Sequence, residues 1–260
     1  MRQPTDKCLI CNERNATKQN SHIIPKFFGK GIFFGTKPRY GLVLTKKVNT
    51  NKIQDIIKEN YLFCPECEKG ISVLETYCAL RLDRFNDLRY YNSFNIFKRK
   101  EFEFFECKNI DKKIFNLFIY SIIWRVSISC HYLYSKFKLI ESDEEKLRIL
   151  LKIYLETTQE KLANKLVDLK ELPSHSHVII RPRKRLRPPS SMLSAASLND
   201  SIHQLHLVDY LIIYITNPTK LVEVLKEIDN NNLENLVRVG LTDPKLWEKF
   251  NFDLINKILK

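Results

Sequence analysis

Apolar side chains recur every three to four positions through several long segments of the chain, which is the spacing of a helix that buries one face. Six segments carry this pattern and predict helices, at 70–82, 112–136, 143–169, 219–229, 232–239 and 243–259. The strongest is 112–136, where aromatic and branched side chains repeat at helical intervals. Acidic residues open the 143–169 segment, and Pro173 lies just beyond it.

Short runs of β-branched and apolar residues at 177–180 and 207–215 predict strands. Between them, segment 181–191 holds three prolines, which forbid regular pairing and predict a loop. Five of the six glycines lie before residue 71, so the start of the chain is richer in turns than the rest. The pattern predicts an α+β fold, with a turn-rich module at 1–82 and a mostly helical region with a few short strands at 83–260.

The chain carries 43 Lys and Arg against 30 Asp and Glu, a formal charge of +13. Such a surplus favours a polyanionic partner, nucleic acid before a membrane surface. The basic residues that could contact a phosphate backbone are Lys26, Lys37, Arg39, Arg181, Arg183, Lys184, Arg185 and Arg187. The alternatives are a solvated basic loop at 181–191 and an aromatic cluster near residue 40 that only packs its own loop.

No apolar segment at the N-terminus indicates a secretory signal. The most apolar window, 114–126, is interrupted by Asn116, Ser121 and Arg125 and is too short for a bilayer span. We therefore expect a soluble, cytoplasmic protein with no membrane association.

Seven cysteines in an intracellular chain favour metal ligands and buried thiols over disulfides. Cys8 and Cys11 form one C-x-x-C pair, and Cys64 and Cys67 form a second. Two such pairs supply four sulfurs at tetrahedral corners, which suits Zn²⁺, and the helix after the second pair is typical of a treble-clef module. The alternative, four unliganded thiols, fits poorly with the polar segment around the first pair. The other three, Cys78, Cys107 and Cys130, are expected to be packed thiols.

Between the two pairs lies the sequence Ser-His-Ile-Ile-Pro at 21–25. A C-x-x-C, a His-Ile-Ile-Pro about ten residues later, a glycine-bearing stretch and a Leu-x-C-x-x-C that enters a helix together resemble the HNH nuclease superfamily. The resemblance is to its zinc-stapled ββα-metal branch. It covers residues 7–80.

The resemblance implies that His22 is a general base, which deprotonates the water that attacks a phosphodiester beside a bound Mg²⁺ or Mn²⁺. Ser21 stands where the family commonly has an acidic residue, and Glu68 where it commonly has histidine or asparagine. Glu68 is thus implied as a metal ligand, with Glu75 two turns later as a second. Asn60 is the nearest candidate for the asparagine of the family.

Each implied role has a structural alternative. His22 could be a packed core histidine or a zinc ligand, Glu68 an exposed carboxylate that complements the helix dipole, and Glu75 the partner of a basic neighbour. The function expected from the resemblance is a DNA endonuclease, with DNA preferred over RNA, from a restriction, phage-defence or mobile-element system. A protein partner or a homo-oligomer is expected on the same ground. The alternative is a non-catalytic zinc module that binds nucleic acid or a protein.

Overall fold

The structure is a computed structural model. It describes residues 2–29, 32–33, 39–43, 51–82, 94–98, 103–107, 109–169, 172–183, 192–231 and 236–249. The described helices are α1 (Pro65–Leu82), α2 (Lys112–Ile128), α3 (Glu141–Tyr154) and α4 (Gln159–Val167), and residues 244–249 are also helical. The strands are β1 (Ser21–His22), β2 (Gly41–Val43), β3 (Asn51–Ile53), β4 (Lys58–Glu59), β5 (Phe94–Lys98), β6 (Glu103–Cys107), β7 (Ser176–Pro182), β8 (Met192–Asn199), β9 (Ile202–Val208), β10 (Tyr210–Ile215) and β11 (Val237–Thr242).

Seven strands form one sheet in the order β5-β6-β11-β7-β10-β9-β8. Neighbouring strands are antiparallel except β11 and β7, which run parallel. Two small pairs, β1 with β4 and β2 with β3, lie in the N-terminal part. The α+β class is confirmed, but the prediction that the region after residue 82 is mostly helical is wrong, since it supplies all seven strands of the main sheet.

Helix α2 is the centre of the fold. Asp111 caps it by accepting a hydrogen bond from the backbone N–H of Ile114 at 3.0 Å, and every residue from Ile114 to Ser127 is buried. A helix that is apolar around its whole circumference must be enclosed, and here α1, α3 and α4 pack around it while aromatic side chains contact the sheet. The predicted helix ran to residue 136, but the backbone turns extended at Ser129, whose hydroxyl donates to Glu59.

The predicted helix at 143–169 is two helices. Leu155 ends α3 in an extended conformation, and Thr158 caps α4 through a 3.3 Å bond from the backbone N–H of Lys161. Helix α1 passes close to this break, because a Cβ added at Gly70 would lie 3.0 Å from the Cβ of Leu155. The close approach needs a residue without a side chain on α1.

Both predicted strand segments are strands in the structure, whereas the later predicted helices are largely not helical where they are described. Segment 177–180 lies within β7, and 207–215 divides into the end of β9 and all of β10, joined by a two-residue turn at Val208 and Asp209. Segment 219–229 forms only 3₁₀ turns. Of the predicted helix at 232–239, residues 232–235 lie outside the described residues, and the rest is not helical, since Val237 begins strand β11. Of the predicted last helix, 244–249 is helical and 250–259 lies outside the described residues.

The apolar core does not stop at the proposed boundary after residue 82. One cluster of buried side chains runs from the segment around Cys8 through α1 and α2 to the inner face of the sheet. Phe28 lies between Phe118 of α2 and Tyr210 of β10, with ring centroids 6.1 and 5.2 Å away. None of the helices in the described part of the chain has the length and apolarity needed to cross a bilayer.

Candidate metal centre and active site

Four cysteine sulfurs meet in the N-terminal part of the fold. The Sγ atoms of Cys8, Cys11, Cys64 and Cys67 all lie within 4.8 Å of one another, and all four residues are buried. Four thiolates at this separation can hold a metal such as Zn²⁺ in a closed tetrahedral site. The expectation that the two C-x-x-C pairs converge is confirmed.

Backbone hydrogen bonds build the two knuckles that present the sulfurs. Asn12, at a φ of 58°, donates its N–H to the carbonyl of Cys8 at 2.9 Å, and Cys8 donates to the carbonyl of Arg14 at 2.8 Å. Asparagine adopts this left-handed conformation more readily than most residues. Leu9 donates to the carbonyl of Leu62 at 2.9 Å, which fixes the first knuckle against the second.

The thiols of Cys8 and Cys67 differ in pKa. A hydrogen bond from Cys67, with backbone N–H groups, lowers the pKa of Cys8, whereas the hydrogen bond to Cys8 and burial raise the pKa of Cys67. The guanidinium of Arg14 adds positive charge, because its Nε lies 3.4 Å from the Sγ of Cys64. Thiolates packed this closely are stabilised by a bound cation, which metal binding would supply.

His22 lies on β1, opposite Lys58 of β4, and α1 follows these two strands in the chain. Its side chain is half-buried, and its Nε2 is buried and has no hydrogen-bond partner among the described residues. Burial chiefly, and then the positive charge of Lys58, lower the pKa of His22, while Asp55 and Glu75 act in the opposite direction. The imidazole is therefore held neutral at neutral pH.

Glu68 and Glu75 each have a partner on the protein. The hydroxyl of buried Ser21 donates to Glu68 Oε2 at 2.8 Å, and burial raises the pKa of Glu68. Glu75 accepts from Nη1 of Arg125 at 2.6 Å, so the alternative that it pairs with a basic neighbour is the one found. Among the described residues, the four cysteines are the only group of three or more metal-binding side chains with mutually close ligand atoms.

The remaining predicted site residues lie in different surroundings. Asn60 is exposed and accepts a hydrogen bond from the backbone N–H of Asn20 at 2.8 Å, which ties the start of β1 to the end of β4. Lys26 and Arg39 are exposed. Lys37, Lys184, Arg185 and Arg187 lie outside the described residues.

Two arginines of the predicted basic loop are not on it. Arg181 belongs to β7, is 1% exposed and donates to the hydroxyl of Tyr210 at 3.1 Å, so its guanidinium cannot reach a nucleic acid at the surface. Arg183 follows the strand and pairs with Glu103 at 2.5 Å, with about half of its side chain exposed. Strand β7 includes the first two residues of the segment that was predicted to be a loop. The strand tolerates Pro182 because this proline is its last residue.

Two residues near His22 did not appear in the sequence interpretation as part of the site. The negative charge of Asp55 acts on the imidazole of His22 by favouring its protonated form, and Asp55 pairs with Lys58 at 2.5 Å. Arg125 was noted only as a polar interruption of the most apolar window. A single arginine in a helix that is otherwise fully buried is itself a signal, because an enclosed charge requires a partner.

The chain matches no family model, no curated protein and no solved structure.

Proposed function

We propose that this protein is a zinc-stapled, divalent-cation-dependent endonuclease of the HNH type, which hydrolyses DNA phosphodiester bonds with His22 as the general base. One observation carries the proposal. His22 lies on a β1–β4 pair that α1 follows, in the segment between the two C-x-x-C pairs whose sulfurs converge, and its Nε2 has no partner among the described residues. Buried polar atoms are nearly always hydrogen-bonded in folded proteins, and exceptions often mark a functional group.

The chemistry asks His22 to take a proton from water. A neutral imidazole can accept it at Nε2, and the burial that lowers the pKa of His22 favours the neutral form. The main-chain carbonyl of His22 is held by Arg125 at 2.8 Å, which limits rotation of the strand that carries the ring. These features suit a base that must stay in one orientation.

The proposal includes a hard divalent cation. Mg²⁺ or Mn²⁺ would polarise the phosphate and stabilise the leaving oxygen. Glu68 and Asp55 are the carboxylates that could hold it, because neither is paired with a buried arginine, and binding at Asp55 would release Lys58 from its ion pair. Exposed Lys26 and Arg39, with the +13 charge of the chain, would attract the polyanionic substrate.

Cleavage of supercoiled plasmid tests the proposal. The purified protein should nick or linearise the plasmid when Mg²⁺ or Mn²⁺ is added, and a chelator too weak to strip thiolate-bound zinc should stop the reaction. The metal that the purified protein contains reports on the cysteine centre, which prefers zinc. The dependence of cleavage on added Mg²⁺ or Mn²⁺ reports on the carboxylate site, which prefers hard cations. Absence of cleavage with each cation would overturn the proposal.

A non-catalytic nucleic-acid-binding module is the second candidate. The pairing of Glu75 with Arg125 and of Ser21 with Glu68 favours it, because both bonds occupy carboxylates that the resemblance assigned to a metal. Binding of DNA fragments without cleavage, with affinity that falls steeply as salt rises, would identify this function.

The pH dependence of cleavage should report the lowered pKa of His22. A base works in its neutral form, so the single-turnover rate should stay level as pH falls past about 6.5, the ordinary value for histidine, and decline only below it. The decline should approach about tenfold per pH unit. Rates between pH 4.5 and 8 on a preformed complex measure this, and a decline that begins above pH 7 would contradict a base in this environment.

A further inference from the structure

Arg125 is a lone cation in the most enclosed helix of the fold. It lies in α2, outside the segment that resembles HNH nucleases, and is 1% exposed. Its neighbours along the helix are buried apolar residues, with Ser121 one turn before it. Burial of a guanidinium is costly, and an apolar residue of similar volume often fills such a position without loss of stability. The residue therefore needs an explanation beyond packing.

One terminal nitrogen of Arg125 connects α2 to His22 and Glu75. Its Nη1 donates to the main-chain carbonyl of His22 at 2.8 Å and to Oε1 of Glu75 at 2.6 Å. Its Nε donates to the carbonyl of Ser121 at 3.1 Å, which fixes the guanidinium plane against α2. Its Nη2 is buried, with no hydrogen-bond partner among the described residues.

We propose that Arg125 is a positioning residue for the His22 base, through which α2 sets the orientation of the imidazole and neutralises Glu75. This role for Arg125 rests on the proposed function and extends it. The site then combines residues of the N-terminal part with a residue of α2. Glu75 then serves as the counter-ion of Arg125 in place of a metal ligand. A metal at Oε1 of Glu75 would compete with the buried guanidinium for that oxygen.

Charge around His22 gives Arg125 a second effect. The groups that act on the imidazole are Lys58 of β4, Asp55 before it, Lys26 after β1 and Glu75 of α1. Glu75 favours the protonated ring, and the guanidinium bound to it opposes that influence. Loss of the guanidinium alone leaves the carboxylate of Glu75 without its counter-ion.

Three variants separate positioning from structural support. Arg125→Lys keeps the charge but cannot hold two acceptors in the planar geometry of a guanidinium, so kcat should fall about a hundredfold while KM changes little. Arg125→Met should raise the pKa of His22. Arg125→Met combined with Glu75→Leu removes the buried guanidinium together with its partly exposed counter-ion and should recover the thermal stability of the wild type without recovering kcat.

Arg238→Lys is the matched control. Arg238, on β11, also bonds a carboxylate and a main-chain carbonyl, those of Glu106 and Glu227, but contacts none of the residues around His22 described above. It should leave kcat and the His22 titration unchanged. Zinc content and circular dichroism show whether each variant is folded. If Arg125→Met alone does not fold, Arg125→Lys and the double variant still test the positioning role.

The histidine ring signals make the two proposals separable. Long-range ¹⁵N–¹H spectra follow the tautomer and titration of His22 in each variant, whether or not the protein cleaves DNA. If the wild type has no nuclease activity, the proposed function fails. In that case an unchanged His22 signal in Arg125→Met overturns the positioning role as well. A shifted His22 signal supports the positioning role. In an active protein, wild-type kcat in Arg125→Lys, or activity that returns with stability in the double variant, would overturn the positioning role alone.

Discussion

Cys67→Ser should release the bound metal and unfold the N-terminal part of the protein. Cys67 lies in the first turn of α1 and its sulfur is one of the four that meet, so its loss opens the tetrahedral set. Serine is a poor zinc ligand at neutral pH, and structural zinc sites contribute about 10–16 kcal/mol in small domains. The turn-rich segment around Cys8 has little regular structure to hold it in place without the metal.

The measurement is the zinc content per chain after purification under reducing conditions, followed by circular dichroism and thermal unfolding. The wild type should carry about one zinc per chain. Cys130→Ser is the matched control, because Cys130 is exposed and outside the cluster, and it should retain the metal and the melting temperature. A wild type that binds no zinc, or a Cys67→Ser variant that keeps its zinc, would contradict a zinc centre at the four cysteines.

His22→Ala should abolish cleavage while the protein stays folded and keeps its zinc. Loss of a general base costs about 10²–10⁴-fold in rate. The variant leaves the four sulfurs in place and removes a ring whose Nε2 makes no hydrogen bond to the described residues, so stability should change little. The single-turnover rate on labelled duplex DNA, with Mg²⁺ or Mn²⁺, measures the effect.

The matched control is His131→Ala. His131 is also half-buried, and it caps the short 3₁₀ turn Tyr132–Tyr134 after α2. It should cleave at the wild-type rate once any small loss of stability is allowed for. Equal rates for His22→Ala and the wild type would exclude His22 from the mechanism, and slow cleavage by both variants would indicate that fold stability limits the assay.

The metal centre could be predicted from sequence because the information is local. Backbone hydrogen bonds around each C-x-x-C segment, from Asn12 to Cys8 and from Glu68 to Cys64, shape the two knuckles, and helix α1 begins within the second pair. The sheet could not be predicted so well. Strand β8 includes small and polar residues such as Ser194 and Ala195, and β11 pairs with β6 and β7, which lie far from it along the chain.

In the candidate site, too, the local part could be predicted from sequence and the long-range contacts could not. His22 was found from its segment, but its partners come from distant positions, and Arg125 lies 103 residues away along the chain. Arg181 shows the converse, since a basic and proline-rich sequence predicted a surface loop and the side chain is in the core. Contacts between remote segments decide both cases, and no pattern within one segment contains them.

The packing of Phe28 has a consequence for protein engineering. Its ring sits against both Phe118 and Tyr210, and the neighbouring Phe27 lies 6.0 Å from Phe118. A fragment that ended after α1 would present these rings to water, and it would self-associate unless polar residues replaced them. Grafting the cysteine-bound unit onto another scaffold therefore requires a new cover for this aromatic contact as well as the metal.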